Sequence, residues 1–138
     1  GVHFPDAPLG TVAHSDGDVL LHAIMDALLG ALALGDIGKH FPNTDPQYRG
    51  IDSKILLTHV FDLVKQRGYG VVNVDSTICL EAPKIMKHAP EMQQKIAYIL
   101  DIGITDVSIK ATTTEKMGFA GREEGLYAYA SVLLKQNS

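Results

Sequence analysis

The sequence predicts one domain of the α+β class or with mixed α/β layers, and three observations lead to that prediction. Its elements are predicted in the order helix, helix, strand, helix, strand, strand. Its 138 residues suffice for one domain with a sizeable core. Its composition, 46% hydrophobic and 20% charged, is that of an ordinary globular protein. We therefore expect a mixed sheet covered by helices on one face.

The first two elements are helices predicted from long apolar runs. The first spans Asp18–Leu34, with Asp16 or Asp18 as its cap and Gly35 at its end. It is apolar almost all round, so we expect it to be buried against a sheet or another subunit. The second helix is predicted over Asp52–Arg67. The loop between them is long for a structureless connection, which favours a functional role.

The remaining elements are three strands and a helix. Runs rich in β-branched and aromatic residues predict strands over Tyr69–Leu80, Val107–Thr113 and Leu126–Leu134. A helix is predicted over Pro90–Leu100, with proline in its first turn. Residues 114–125 contain three glycines and are predicted as a loop.

Charge and cysteine content exclude several classes of protein. The net charge is −4 and no block of Lys or Arg occurs, which argues against a nucleic-acid or membrane-surface protein. The sequence has no uncharged apolar run of about 18 residues, so no membrane span is predicted. No signal peptide is visible either. The one cysteine, Cys79, lies in an apolar run, so we expect a buried, inert thiol and a reducing compartment.

Residues 14–22, His-Ser-Asp-Gly-Asp-Val-Leu-Leu-His, hold the densest group of polar side chains. His14 and Ser15 are predicted to precede the first helix, where free N–H groups and the helix dipole favour an anion such as phosphate. Simple N-capping is the alternative. His22 is predicted to ligate a metal, oriented by carboxylates at i−4 and i+4, Asp18 and Asp26. A core histidine bonded to a neighbour is the alternative there.

Two further motifs lie at predicted strand ends. Lys110–Lys116 places three threonines after a strand and before Glu115, so hydroxyls could bind phosphate and the carboxylate a divalent ion. Ordinary β-forming threonines are the alternative. Arg122 could bind an anion or pair with a neighbouring glutamate. Leu80–Met86 could offer backbone groups to a flat base edge, or form an ordinary turn between strand and helix.

Taken together, these motifs resemble the 2-C-methyl-D-erythritol 2,4-cyclodiphosphate synthase family of the non-mevalonate isoprenoid pathway, over nearly all of the chain. The segments that carry the resemblance are Ala13–Asp18 with His22, Gly35–Gly38, Phe41–Asp45, Ala82–Lys84, and Lys110–Lys116 with Gly118, Phe119, Gly121 and Arg122. The resemblance implies one domain over residues 1–138, a ferredoxin-like two-layer α+β sandwich, and a homotrimer with active sites between subunits. It also implies a cytoplasmic enzyme, or a plastid one in a eukaryote.

The reaction implied by the resemblance is a cyclisation catalysed by a CMP-releasing lyase. The 2-phosphate of 4-diphosphocytidyl-2-C-methyl-D-erythritol 2-phosphate would attack the β-phosphorus of the same molecule. CMP would leave, and a cyclic diphosphate would form. Such a reaction needs positioning and charge neutralisation and no protein nucleophile.

Residue roles carry over by the same resemblance. His22 would ligate zinc, Glu115 would hold Mg²⁺ or Mn²⁺, and His14 and Thr113 would be the catalytic residues. The implied substrate-binding residues are His14, Ser15, Asp36, Ile37, Gly38, Phe41, Pro42, Asn43, Thr44, Asp45, Leu80, Glu81, Ala82, Pro83, Lys84, Ile85, Met86, Thr112, Thr113, Thr114, Glu115, Phe119 and Arg122.

One departure from the family concerns the metal. The family's other two zinc ligands are an Asp-x-His pair on an N-terminal strand, and this sequence has no Asp-x-His. Its first residues, Val2–Val12, are predicted as a strand end or loop. We therefore expect one zinc ligand of three here: either that strand is absent from this sequence, or the zinc site is incomplete. Two alternatives to the synthase stay open: a catalytically silent nucleotide- or isoprenoid-binding trimer, and a metal-dependent phosphohydrolase.

Overall fold

The computed structural model describes residues 10–42, 44–48, 51–80, 86–121 and 126–138, with side chains from residue 17 onward. The helices are α1 (Gly10–Ala31), α2 (Ile37–His40), α3 (Ser53–Gln66), α4 (Ala89–Leu100) and α5 (Gly118–Gly121). The strands are β1 (Tyr69–Cys79), β2 (Val107–Thr112) and β3 (Tyr127–Gln136). The predicted order of the long elements is confirmed, and α2 and α5 lie within the two predicted loops.

The three described strands form one mixed sheet in the order β2-β1-β3. β1 runs parallel to β2 and antiparallel to β3. A parallel pair needs a crossover connection, and α4 lies in the connection between β1 and β2. A shift in register between Val71 and Asn73 places one bulge in β1. The α+β prediction with a mixed sheet is thereby confirmed.

Helices cover one face of this sheet, and among the described residues none covers the other face, which we call the open face. Val74 and Ile78 of β1 are buried in the same core as residues of α1, α3 and α4. Residues of opposite alternation, such as Asp75 and Lys110, form an exposed ion pair on the other face. Tyr129 of β3 is exposed there as well. The helix α1 packs against β3 and α3, so the chain's own sheet and a second helix bury its apolar side chains.

The start of α1 differs from the prediction. The helix begins at Gly10 and not near Asp18, so Asp16 and Asp18 are not its caps. Residues 11–16 contain no proline or glycine that would interrupt helical hydrogen bonding. The nearest proline in the sequence is Pro8, two residues before the helix begins. The backbone of residues 14–16 therefore lies beyond the first turn, where N–H groups bond within the helix. The predicted phosphate seat at a helix N-terminus is wrong for this segment.

The end of α1 also differs from the prediction. Ala31 is its last residue, and the reversal occurs at Ala33, which has a φ of 55°. Two reverse hydrogen bonds close the helix: Leu34 N–H to Leu29 C=O at 2.9 Å, and Ala33 N–H to Gly30 C=O at 3.0 Å. This is the Schellman pattern, in which the left-handed residue is usually glycine. Gly35 lies one residue beyond the motif.

Replacing Ala33 by glycine is expected to stabilise the protein. The substitution relieves the left-handed cost of a Cβ at this position, and the added freedom of the unfolded chain offsets part of that gain. We expect a net gain of about 0.5–1 kcal/mol, or a Tm rise of about 2–4 °C, measured by thermal unfolding. Ala31→Gly, inside the same helix, serves as the control and should lower the Tm. A Tm decrease for both variants would contradict the assignment.

The predicted second helix is confirmed, with bounds one residue inside those expected. Asp52 caps α3 by accepting a hydrogen bond from Lys54 N–H at 2.8 Å. That bond and the nearby Lys54 ammonium lower the pKa of Asp52 against the opposing effect of partial burial. Leu57 and Val60 are fully buried and fix α3 against the core. Within the described ranges, no helix is long and apolar enough to cross a membrane.

Candidate functional site

His22 lies on α1 with its ring half-buried against the start of α3. Its Nε2 atom is 3.3 Å from the Oγ atom of Ser53, the first residue of α3. Ser53 is buried, at 4% exposure, and the two residues are 31 apart in sequence. The structure thus gives His22 a hydroxyl partner that the sequence analysis missed. The available signal was a serine, Ser53, at the predicted start of the second helix, where most neighbouring positions are apolar or charged.

Asp26, predicted to orient His22 from i+4, has another role. Its Oδ1 atom accepts a hydrogen bond from Ile37 N–H at 2.9 Å. The carboxylate therefore fixes the first residue of α2 and not the imidazole, because the chain reverses after α1 and brings Ile37 back beside it. The prediction for Asp26 is wrong; that for Asp18 stays a prediction.

The Asp36–Gly38 segment is held at both ends. Asp36 caps α2 by accepting a hydrogen bond from Lys39 N–H at 3.0 Å. Asp26 holds Ile37 from the other side. A Cβ on Gly38 would lie 3.4 Å from Asp36 Oδ1, which is ordinary van der Waals contact. By the resemblance, Asp36 and Gly38 would hold the ribose of the substrate; they lie in a short, fixed turn on the surface of the helical layer.

Two side chains of the Phe41–Asp45 segment contact other residues of the same chain. The Phe41 ring makes edge contacts with the rings of Tyr48 and His59, with centroids 5.2 and 6.0 Å apart. Both carboxylate oxygens of Asp45 accept hydrogen bonds from Gln47, each at 3.1 Å. These contacts shape the segment, and the predicted substrate role of its side chains stays a prediction.

The three threonines of the Lys110–Lys116 motif lie at the end of β2 and before Glu115, as expected. Thr112 is the last residue of the strand, and the chain then turns at Glu115 and Lys116, which have φ values of 54° and 64°. Met117 N–H donates to Thr114 C=O at 3.1 Å across this turn. Two consecutive positive φ values define a type I′ turn, which normally contains Asn-Gly or Gly-Gly. Glutamate and lysine are here held in a strained conformation of the kind that occurs at functional sites.

Hydroxyl groups reinforce this turn. Glu115 N–H donates to Thr113 Oγ1 at 3.2 Å, and Thr114 Oγ1 donates to Met117 C=O at 2.5 Å. Gly121 passes so near that a Cβ on it would lie 2.1 Å from the Lys116 carbonyl carbon, so only glycine fits there. The result is an exposed Glu115 carboxylate on a rigid support.

Two of the predicted motifs meet at one edge of the sheet. β1 and β2 are parallel and end together, with Cys79 opposite Thr112. Leu80 N–H donates to Thr112 C=O at 3.0 Å just past that pair. The start of the Leu80–Met86 segment and the threonine-glutamate turn are therefore neighbours, although more than thirty residues separate them in sequence. Lys110 of the same motif is engaged elsewhere, on Asp75, whose pKa it lowers chiefly through a side-chain hydrogen bond.

An aromatic row continues from this edge along the open face of the sheet. Phe119, Tyr127 and Tyr129 follow one another with ring centroids 5.8 and 5.4 Å apart. A recess of about 340 Å³ lies beside it, lined by Thr114, Met117, Gly118, Phe119, Ala120 and Tyr127. Cys79 is buried, as predicted, and its hydrogen bond with Tyr127 is the main cause of a raised Tyr127 pKa. The tyrosines were not predicted as site residues, because aromatic residues in this run only indicated a strand.

The predicted metal ligands His22 and Glu115 do not belong to a complete metal site among the described residues. Across the part of the chain that the structure describes, no three His, Cys, Asp or Glu side chains come together as a metal site. His22 fits one zinc ligand, since one of its nitrogens is held by Ser53 and the other remains for a metal. Glu115, exposed on its turn, fits one ligand of a hard divalent cation. Any further donors would come from residues outside the described ranges or from another subunit.

Several predicted site residues lie outside the described parts of the structure. They are the side chains of His14 and Ser15, and the residues Asn43, Glu81, Ala82, Pro83, Lys84, Ile85 and Arg122. Their predicted roles stay predictions.

Comparison with known proteins gives a consistent set of relatives. The profile of the YgbB family matches residues 1–135. A protein of Acinetobacter baylyi named 2-C-methyl-D-erythritol 2,4-cyclodiphosphate synthase is 59% identical over 125 residues, covering 91% of this chain and 77% of that protein. A protein of the same name from Acinetobacter baumannii is 57% identical over 134 residues, covering 97% and 83%.

Solved structures agree with the sequence relatives. A CDP-bound 2C-methyl-D-erythritol-2,4-cyclodiphosphate synthase superposes with a TM-score of 0.85 at 34% identity, covering 98% of this chain and 87% of that one. The bifunctional IspDF from Campylobacter jejuni gives a TM-score of 0.82 at 42% identity, covering 86% of this chain and 32% of that one.

Proposed function

This chain belongs to the YgbB family, and from that premise we propose that it converts 4-diphosphocytidyl-2-C-methyl-D-erythritol 2-phosphate into 2-C-methyl-D-erythritol 2,4-cyclodiphosphate and CMP. The observation that carries the proposal is the meeting of two motifs at one sheet edge. Leu80, the residue after β1, donates its N–H to the carbonyl of Thr112. Thr112 ends β2 and leads directly into the turn that carries Glu115. A nucleotide diphosphate needs such a surface, with backbone groups, hydroxyls and a carboxylate for its metal.

The proposed reaction is an intramolecular phosphoryl transfer. An oxygen of the 2-phosphate forms a bond to the β-phosphorus, and the bond from that phosphorus to the bridging oxygen of CMP breaks. CMP leaves with the electron pair, so no protein nucleophile and no water enter the reaction. The protein has to hold both ends of one flexible substrate in line and to neutralise charge.

The residues at the sheet edge are well suited to hold the leaving group. Thr113 is fixed by the Glu115 N–H, and its hydroxyl proton stays available to donate to a phosphate oxygen. Glu115 would hold Mg²⁺ or Mn²⁺ on the diphosphate, and His22 would be one ligand of zinc. When bound, these ions supply Lewis-acid stabilisation of charge on the phosphate oxygens.

We include the homotrimer, the ferredoxin-like architecture and subunit-shared active sites in the proposal. Support comes from the open face of the sheet, where Tyr129 and Leu133 are 69% and 56% exposed. An exposed apolar sheet face is a typical oligomer interface. A cytoplasmic location is also proposed, since the buried thiol of Cys79 suits a reducing compartment.

An assay of CMP release tests the proposed function. The full-length protein, given the substrate with Zn²⁺ and Mg²⁺, is expected to release CMP and the cyclic diphosphate in equal amounts. Free phosphate without cyclic product would favour the phosphohydrolase alternative. Heat from CDP binding in calorimetry, with no turnover, would favour the silent binding protein. Either result would remove the synthase proposal.

Replacing Asp26 by alanine is expected to weaken nucleotide binding selectively. The change frees Ile37 N–H and loosens the Asp36–Gly38 turn, so we expect KM to rise roughly 5–10-fold while kcat stays within about twofold. Asp26→Asn, which keeps an acceptor oxygen, should restore most of the affinity. Asp62→Asn, on the exposed surface of α3, is the control. An unchanged KM in Asp26→Ala would contradict the proposed ribose role of this turn.

A further inference from the structure

Ser53 stands out among the buried polar residues of the described chain. Two such residues occur there, Ser53 and Ser76, at 4% and 1% exposure. The Ser76 hydroxyl donates to the Ser108 carbonyl across neighbouring strands, an ordinary arrangement within a sheet. The Ser53 hydroxyl instead contacts an imidazole on another helix.

Capping does not explain this hydroxyl. The carboxylate of Asp52 already caps α3, with a hydrogen bond of 2.8 Å from Lys54 N–H. Ser53 is the first helical residue, and its side chain points inward to His22 Nε2 at 3.3 Å. Burying a hydroxyl is costly unless it is hydrogen-bonded, so this contact accounts for a serine at an otherwise apolar, buried position.

The chemistry of the contact depends on which ring nitrogen carries the proton. A histidine that binds a metal through one nitrogen carries its proton on the other, and it usually donates that proton to a nearby acceptor. Because Nε2 of His22 is beside a buried hydroxyl, Nδ1 is the nitrogen left for a metal. The proton then lies on Nε2, and the Ser53 Oγ atom accepts a hydrogen bond from Nε2–H.

We propose that Ser53 is a positioning residue for His22, which accepts a hydrogen bond from Nε2–H and keeps the Nδ1 lone pair directed to the metal. This inference rests on the proposed function, which gives His22 its metal. It also specifies the tautomer and the ligating atom, neither of which follows from the sequence.

The helices that carry the two residues make the support rigid. Ile24 and Leu28 of α1 and Leu57 and Val60 of α3 are fully buried in one core. A ring tied between two packed helices loses rotamer freedom before the metal arrives, so binding the metal costs less entropy. Removing the hydroxyl should therefore weaken metal binding without displacing either helix.

The test combines zinc titration with NMR of the histidine rings. In full-length protein freed of metal, proton–nitrogen spectra of labelled histidine should show His22 protonated at Nε2, and zinc should shift Nδ1. Ser53→Ala should lower zinc affinity roughly 10–100-fold and mix the two tautomers, while the Tm changes little. Ser53→Thr, which keeps the hydroxyl, should restore most of the affinity. Thr58→Ala, which removes an exposed hydroxyl from the same helix, is the control.

Three outcomes would overturn the inference. They are zinc affinity within twofold of wild type in a folded Ser53→Ala variant, protonation of His22 at Nδ1, and zinc bound through Nε2. Failure of the proposed function is a separate result. A wild-type protein that binds zinc with the expected dependence on Ser53 but releases no CMP would refute the synthase reaction and leave the positioning role intact.

Discussion

Replacing His22 by alanine is expected to remove zinc from the protein and to lower CMP release by roughly three orders of magnitude. The imidazole is the one zinc-ligand candidate that lies on a described helix, and its ring is held in place by Ser53. In the proposed zinc site with three protein ligands, loss of one ligand would remove the metal, and with it the proposed stabilisation of charge at the diphosphate. Metal content by atomic emission and CMP release by chromatography measure the two effects.

The matched control for this variant is His59→Ala. His59 is an exposed imidazole on α3 whose ring touches Phe41, so its loss should leave both zinc content and turnover nearly unchanged. Zinc bound at the wild-type ratio in His22→Ala would refute the ligand assignment. Loss of zinc with undiminished turnover would refute the proposed role of zinc in the reaction.

Replacing Glu115 by glycine is expected to stabilise the protein while lowering turnover roughly 10²–10³-fold. Glu115 has a φ of 54°, a conformation that costs a residue with a Cβ about 1–2 kcal/mol and costs glycine nothing. After the added freedom of the unfolded chain is subtracted, we expect a gain of about 0.5–1 kcal/mol. The carboxylate that would hold the divalent ion is lost in the same change. Thermal unfolding and CMP release in saturating Mg²⁺ measure the two effects.

Glu115→Gln separates the two contributions, because it removes the charge and keeps the strained backbone. Its turnover should fall as far as that of Glu115→Gly, with no gain in Tm. Ala33→Gly is the complementary control, since it relieves a similar conformation at a helix end and should leave turnover unchanged. A fall in Tm for Glu115→Gly would contradict the strained turn, and full activity would contradict the metal-binding role.

Most long elements could be predicted from local patterns. The helices α3 and α4 and the three strands lie within one or two residues of their expected bounds, because periodic apolar residues must face a core. The ends of α1 were not predictable in the same way. Its start depends on the lack of a strong stop before Gly10, and its end depends on Ala33 accepting a left-handed conformation that glycine usually takes.

The sequence by itself determined the residue types of the candidate site, because motif spacing fixes which imidazole, threonines and carboxylate are present. It also determined the α+β class, through the order and periodicity of the elements. Only the tertiary structure decided the partners: Ser53 for His22, Ile37 for Asp26, and Thr112 for Leu80. These contacts join residues that are distant in sequence. Their formation depends on how helices pack and which strands pair, and local patterns carry no information about either.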